Sequence, residues 1–127
     1  MEERTDSHLH ALRGATSVER NDEETILAET RELMTQLMRR NDLAPGRMVS
    51  CIFTATADLN AQFPAVAARD LGLDRVPLLC TQEINVPGAL PRVIRVLIHY
   101  YADPGHEPQH VYLGEARSLR EDLHSAQ

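Results

Sequence analysis

Arg95 is the first residue whose type and surroundings call for chemistry. It interrupts the run Val93-Ile94-Arg95-Val96-Leu97-Ile98, so the segment reads as a strand buried on both faces, where a guanidinium is costly unless something anionic pairs with it. Two readings stand side by side: a structural ion pair, with Glu83 the obvious partner, or a site awaiting an anionic ligand. Cys80-Thr81-Gln82-Glu83 puts a thiol and a carboxylate together at the end of another strand. A nucleophilic thiol wants a base, and no histidine lies close to Cys80 in the sequence. The plain alternative is a structural cysteine beside a solvated glutamate.

Arg13, Arg69 and Arg120, with Tyr112 as a hydroxyl donor, extend this to a set able to hold carboxylates through forked, charge-assisted hydrogen bonds. The histidines do not build a metal site. His8 and His10 can share a strand face, and His106 and His110 lie four apart, but Pro108 between them spoils a helical metal pair. No metal or cofactor is expected. P-loop, GxGxxG, GxSxG and paired-carboxylate motifs are absent from the sequence, which removes support for the common nucleotide, acyl-transfer and hydrolytic chemistries. A cationic site for a small anion is what remains.

The composition agrees with that. A chain of 127 residues, 43% hydrophobic and 25% charged, fits one domain with an ordinary core. Its net charge of -6 argues against nucleic acid as a partner, because phosphate binding needs a basic surface. The segment from Phe63 to Leu97 nevertheless holds several arginines and few acids, which suits a local cationic pocket. No apolar run approaches the roughly 20 residues of a membrane span, and the charged start is not signal-like. A cytoplasmic address with no membrane partner follows as the expectation, with Cys51 and Cys80 as reduced thiols. Residues 1–7 read as a disordered extension, 8–120 as a single domain and 121–127 as a flexible tail.

The elements that must position these residues can be read from periodicity. His8 to Leu12 predicts a short first strand ending at Arg13-Gly14-Ala15-Thr16, with Gly14 letting the backbone turn. Asn21-Asp22-Glu23-Glu24 reads as a capped helix start, and Ile26, Thr30, Leu33 and Leu37 carry helical spacing to Arg39-Arg40. Met48 to Thr56 predicts a central strand. Phe63-Pro64 opens a short helix, with Pro64 at its first position and Gly72 at its stop. Val76 to Cys80, Pro91 to Tyr101 and His110 to Leu113 predict three further strands. The order implies an α+β fold, a mixed sheet with helices on one face. Its other face is apolar enough to be buried against copies of the same chain in a barrel-like oligomer.

Six segments together, Arg13-Gly14-Ala15-Thr16, Thr56-Ala57-Asp58-Leu59, Phe63-Pro64-Ala65, Cys80-Thr81-Gln82-Glu83, Ile94-Arg95-Val96 and Val111-Tyr112-Leu113, resemble in order and spacing the monofunctional chorismate mutases of the trimeric pseudo-α/β-barrel class. The resemblance covers the chain from about Arg13 to Arg120. It implies an isomerase that rearranges chorismate to prephenate in phenylalanine and tyrosine synthesis, without a cofactor, as a homotrimer with active sites between subunits. By this resemblance Arg95 contacts the breaking ether oxygen and a carboxylate, Arg13 and Tyr112 hold that carboxylate, and Glu83 accepts the ring hydroxyl with Cys80 beside it. Phe63, Ala65, Leu79 and Leu119 then line the apolar wall, and Arg69 and Arg120 lie near the mouth.

Two positions depart from the family pattern. Val66 stands where a lysine often follows Phe-Pro-Ala, removing a charge that would meet the second carboxylate. Thr56-Ala57-Asp58 replaces the usual Thr-Pro-Asp in a turn. Two other classes remain as alternatives at this level: a trimeric enamine or imine deaminase, which would release ammonia from imino acids, and a non-catalytic module that binds an aromatic metabolite without turnover.

Overall fold

The computed structural model of the chain describes residues 7–120. The expected flexible tail 121–127 lies outside the described residues, as does the expected extension 1–7 except for Ser7. Five strands form one sheet in the order β3-β2-β4-β1-β5. β4 (Val93–Ala102) is its centre, antiparallel to β1 (His8–Ser17) on one side and to β2 (Met48–Ala55) on the other. β3 (Leu78–Gln82) runs parallel to β2, and β5 (Val111–Leu113) runs parallel to β1.

Helix α1 (Glu23–Arg40) starts where Asp22 accepts the Thr25 N–H at 2.8 Å, with acids in its first turn and arginines in its last, the arrangement a helix dipole favours. Ile26, Thr30, Leu33, Met34 and Leu37 form its buried stripe. This stripe packs with Leu12, Phe53, Ile94, Val96, Ile98 and Tyr100 of the sheet in one core. α2 (Ala65–Asp70) joins β2 to β3, with Pro64 at the capping position rather than the first helical one and Gly72 beyond its end at φ +98. Among the described residues no helix is long and apolar enough to cross a membrane.

Two expectations need correction. β1 does not end before Arg13. It continues through Gly14 to Ser17, and Gly14 is a point of close packing rather than of turning. A Cβ there would stand 2.8 Å from Leu37 Cδ1 and 3.3 Å from the Val111 carbonyl oxygen, so the missing side chain lets α1 press onto the sheet. Nor is β4 buried on both faces. Ile94, Val96, Ile98 and Tyr100 are buried under the helix layer, whereas Arg95, Leu97, His99 and Tyr101 lie on a face that the chain itself leaves partly open, the alternation expected of a strand with one covered face.

Among the described residues one end of that open face is covered. Gly114, at φ +60, turns the chain out of β5, and Ser17 Oγ accepts the Glu115 N–H at 2.9 Å. A Cβ on residue 114 would collide with the Ser17 hydroxyl. The turn brings Ala116 and Leu119 against Ala15, Val93 and Tyr112 in a second, smaller apolar cluster.

Candidate active site

Register places the chemistry. Ala15, Arg95 and Thr54 stand opposite one another across β1, β4 and β2, and Tyr112 lies opposite Ala15 on β5. One step along, Arg13, Leu97 and Ile52 form the next row on the same face. The two rows bring Arg13, Arg95 and Tyr112 from three strands into one hollow of about 240 Å³, which Glu83 also lines. Glu83 follows β3, where its N–H donates to the Ala55 carbonyl at 2.9 Å and so continues the parallel ladder.

Inside the hollow Glu83 Oε2 lies 3.0 Å from Arg95 Nε and accepts the Thr54 hydroxyl at 2.9 Å. The Arg95 side chain is 51% exposed, so the guanidinium is neither buried nor sealed by its partner. The recorded ion pair engages Nε at the stem. Among the described residues the two Nη groups donate no hydrogen bond, which leaves the outer edge of the fork for a ligand. Arg95 and Glu83 also border a larger hollow of about 570 Å³, walled by Leu90, Val93 and Leu119. A polar cluster thus sits between two spaces, one of them largely apolar.

Arg13 is held from its backbone. Its N–H donates to His110 Nδ1 at 3.0 Å, and burial, followed by the Arg13 and Arg120 charges, pushes the His110 pKa below its ordinary value. The preceding residue is tied to α1, because Asn41 accepts the Gln109 N–H at 2.7 Å and donates to its carbonyl at 3.0 Å.

The remaining expected residues divide. Cys80 pairs in register with the buried Phe53 and packs partly against the main core, so alternation turns it to the helix side. It lines a different hollow, of about 320 Å³, together with Phe63 and Pro64, and in the single chain it does not share the Arg13–Arg95–Tyr112 hollow with Glu83. Phe63 is 66% exposed there. Leu79 is exposed on the open face in the row of Ile52, and Leu119 packs on the smaller cluster. Ala65, at 3% exposure, packs in the core at the start of α2 within the single chain. Arg69 and Arg120 are exposed and line none of these three hollows.

Sequence reasoning missed Thr54 and His110. The alternation of Ser50 and Thr54 with apolar neighbours in β2, and the histidine directly before Val-Tyr-Leu, were the available signals. Of the other groups, burial and then the nearby Cys80 push the Cys51 thiol up to about 12, which leaves it inert as a nucleophile. His106 meets the buried Tyr100 hydroxyl at 2.6 Å, near the far end of β4 from Arg95.

Two arginines, a hydroxyl and one carboxylate around an open hollow can orient an anionic ring compound and stabilise negative charge that develops on it. Comparison with known proteins agrees. The family model described as chorismate mutase type I matches residues 9–123. The chain is 47% identical over 121 residues to the chorismate mutase AroH of Thermus thermophilus, covering 94% of this chain and 99% of that one. It is 42% identical over 117 residues to the chorismate mutase AroH of Bacillus subtilis strain 168, covering 91% and 92%. A solved chorismate mutase from Clostridium thermocellum superposes with a TM-score of 0.84 at 43% identity, covering 87% of this chain and 99% of that one.

Proposed function

Because the chain belongs to the type I chorismate mutase family and rearranges chorismate to prephenate, we propose that Arg95 supplies the charge that the breaking ether oxygen needs, while Arg13, Tyr112 and Glu83 orient the substrate around it. The deaminase and the non-catalytic binding module give way to this assignment. The reaction is unimolecular: a carbon–oxygen bond breaks while a carbon–carbon bond forms, with no covalent intermediate and no proton transfer. That suits a site with no acid–base pair and no activated nucleophile.

The observation that carries the residue roles is the convergence of Arg13, Arg95, Glu83 and Tyr112 on one hollow. Glu83 holds the Nε edge of Arg95 and leaves the Nη edge to meet a carboxylate and the ether oxygen together. A preorganised donor of this kind contributes on the order of 3 kcal/mol to the transition state. Glu83 retains lone pairs for the ring hydroxyl, and Arg13 and Tyr112 take the carboxylate from the other side. Chorismate must be held in its compact diaxial form, and opposed contacts on its carboxylate and hydroxyl select that form.

The working unit is a homotrimer with each site shared between two subunits. Two features support this. Leu9, Leu79 and Tyr101 are large side chains exposed on the uncovered side of the sheet, more apolar surface than a lone chain keeps bare without reason. The hollow of Phe63 and Cys80 is separate from that of Arg95 within one chain, so these groups complete one another across a subunit boundary. Arg69 and Arg120 then approach the second carboxylate, which Val66 cannot meet. The enzyme acts on a free metabolite in the cytoplasm.

Mixed oligomers test the shared site. Arg95→Ala and Phe63→Asp subunits, each impaired alone, regain part of the wild-type rate when unfolded and refolded together, because some sites then draw both intact halves. A sedimentation mass of a monomer, or no recovery on mixing, removes the shared-site reading.

A further inference from the structure

His110 stands one residue before β5, and its ring rather than its backbone meets β1: Nδ1 accepts the Arg13 N–H at 3.0 Å. The next residues then pair in ordinary parallel register, Gly14 with Val111, Ala15 with Tyr112 and Thr16 with Leu113. The imidazole therefore closes the rung beside the short β1–β5 ladder, and that rung fixes the backbone of Arg13.

An acceptor at Nδ1 requires the ring proton to sit on Nε2. In the imidazolium both nitrogens are donors, and the Arg13 N–H loses its partner. The groups that face the ring would not welcome that charge. β1 brings Arg13, the turn after β5 brings Arg120, and both are cations that act on His110. α1 brings the neutral Asn41, which holds the adjoining Gln109. Among the described residues no carboxylate lies within ion-pair distance of the ring.

We propose that His110 is a positioning residue for Arg13, that it acts only as the neutral Nε2–H tautomer, and that its protonation sets the acid limit of substrate capture. This rests on the reading of Arg13 as a carboxylate-binding group. The rearrangement moves no proton, so the chemical step gives no reason for a titration near neutrality, and the effect falls on KM rather than on kcat. The direction follows from the geometry and charge. Burial first, and then the two guanidiniums, place the folded pKa below the ordinary imidazole value of about 6.5, so the ring stays neutral to lower pH than a free imidazole would. The unfolded chain binds the proton more readily, so stability also declines as pH falls from about 6.5 towards the folded value.

The test is KM and kcat for chorismate between about pH 5 and 8, where an unpaired histidine titrates, in wild type, His110→Asn and His110→Leu. Asparagine places an Oδ1 acceptor where Nδ1 stood and does not titrate; leucine offers no acceptor. Wild-type KM is expected to rise as pH falls through the folded value, with kcat nearly constant, and to level off near about tenfold, the cost of losing the acceptor altogether. His110→Asn keeps the neutral-pH KM within about twofold and loses the acid rise. His110→Leu raises KM about tenfold at every pH, the scale of one backbone donor left without its partner. In an Arg13→Ala background His110→Leu should add less than about twofold, since its effect runs through Arg13. An acid rise that persists in His110→Asn overturns the proposal, as does a wild-type KM in His110→Leu. Arg13→Ala measured alone separates the two levels: if it is impaired while the His110 variants are not, only this inference fails, and if it matches wild type, the role of Arg13 fails and the inference with it. Should His110→Leu not fold, His110→Asn decides the question by itself.

Discussion

Glu83 grips Arg95 by the stem: Oε2 lies 3.0 Å from Nε, and the same oxygen accepts the Thr54 hydroxyl at 2.9 Å. The side chains are 51% and 25% exposed, so solvent screens the pair and its contribution to folding is at most about 1 kcal/mol. Its value lies in direction. The pair engages Nε and leaves both Nη groups without a partner among the described residues, so the ion pair and a ligand site do not exclude one another.

Arg95→Lys should therefore keep the fold and lose turnover. Lysine can place a charge near the ether oxygen but not a planar fork across both the oxygen and a carboxylate. A fall in kcat of about 100-fold or more is expected, read from the loss of chorismate's ultraviolet absorbance, with an unchanged melting temperature. Activity within a few-fold of wild type would falsify the role given to this residue.

Glu83→Gln keeps an acceptor for the Thr54 hydroxyl and removes the charge that aligns Arg95. The melting temperature should change little, because the pair is partly exposed. kcat should fall by about tenfold or more as the outer edge of the fork loses its fixed bearing. Stability falling more than activity would mean that the pair is chiefly structural.

Gly14→Ala tests how closely the helix lies on the sheet. The new methyl meets Leu37 Cδ1 at 2.8 Å, Leu33 Cδ1 at 3.2 Å and the Val111 carbonyl oxygen at 3.3 Å. The leucine tips can move, but the carbonyl belongs to the β5 backbone, so a loss of about 1–3 kcal/mol is expected. Urea unfolding measures it, and an unchanged midpoint would show that the leucines absorb the methyl.

Asp22→Ala removes the cap of α1. The Thr25 contacts, and then Arg20, hold the Asp22 carboxyl down at about 2, below its unfolded value. A depressed carboxyl stabilises the fold above the unfolded value, and the effect is lost as pH falls through the folded one. The variant should melt a few degrees lower than wild type at neutral pH, and the gap should close between about pH 4 and 2. A gap independent of pH across that window would assign the loss to something other than the carboxylate.

Periodicity revealed α1 in full, because the stripe from Ile26 to Leu37 and the Asp22 cap are local signals. It also revealed the order of strands and helices. Burial was misjudged where it depends on what lies across the sheet. The apolar neighbours of Arg95 alternate between a helix-covered side and one the chain leaves partly open, and the bare sequence Val-Ile-Arg-Val-Leu-Ile cannot separate that from burial on both sides. Gly14 was misread because its reason lies in Leu37, a residue of another element. Strand alternation turns Cys80 to the core side within one chain, a separation from Glu83 that their closeness in sequence does not reveal. The role of His110 needs the β1–β5 register, which no local pattern encodes.

That register limits how the chain can change length. Arg13, Arg95 and Tyr112 share a hollow only because they occupy rungs of matching parity on three strands. An extra residue inside β1 or β4 would turn the arginine beyond it toward the helices, and a second insertion would turn it back. Within the strands, added residues matter by whether their number is odd or even, while the connecting segments are free of that rule.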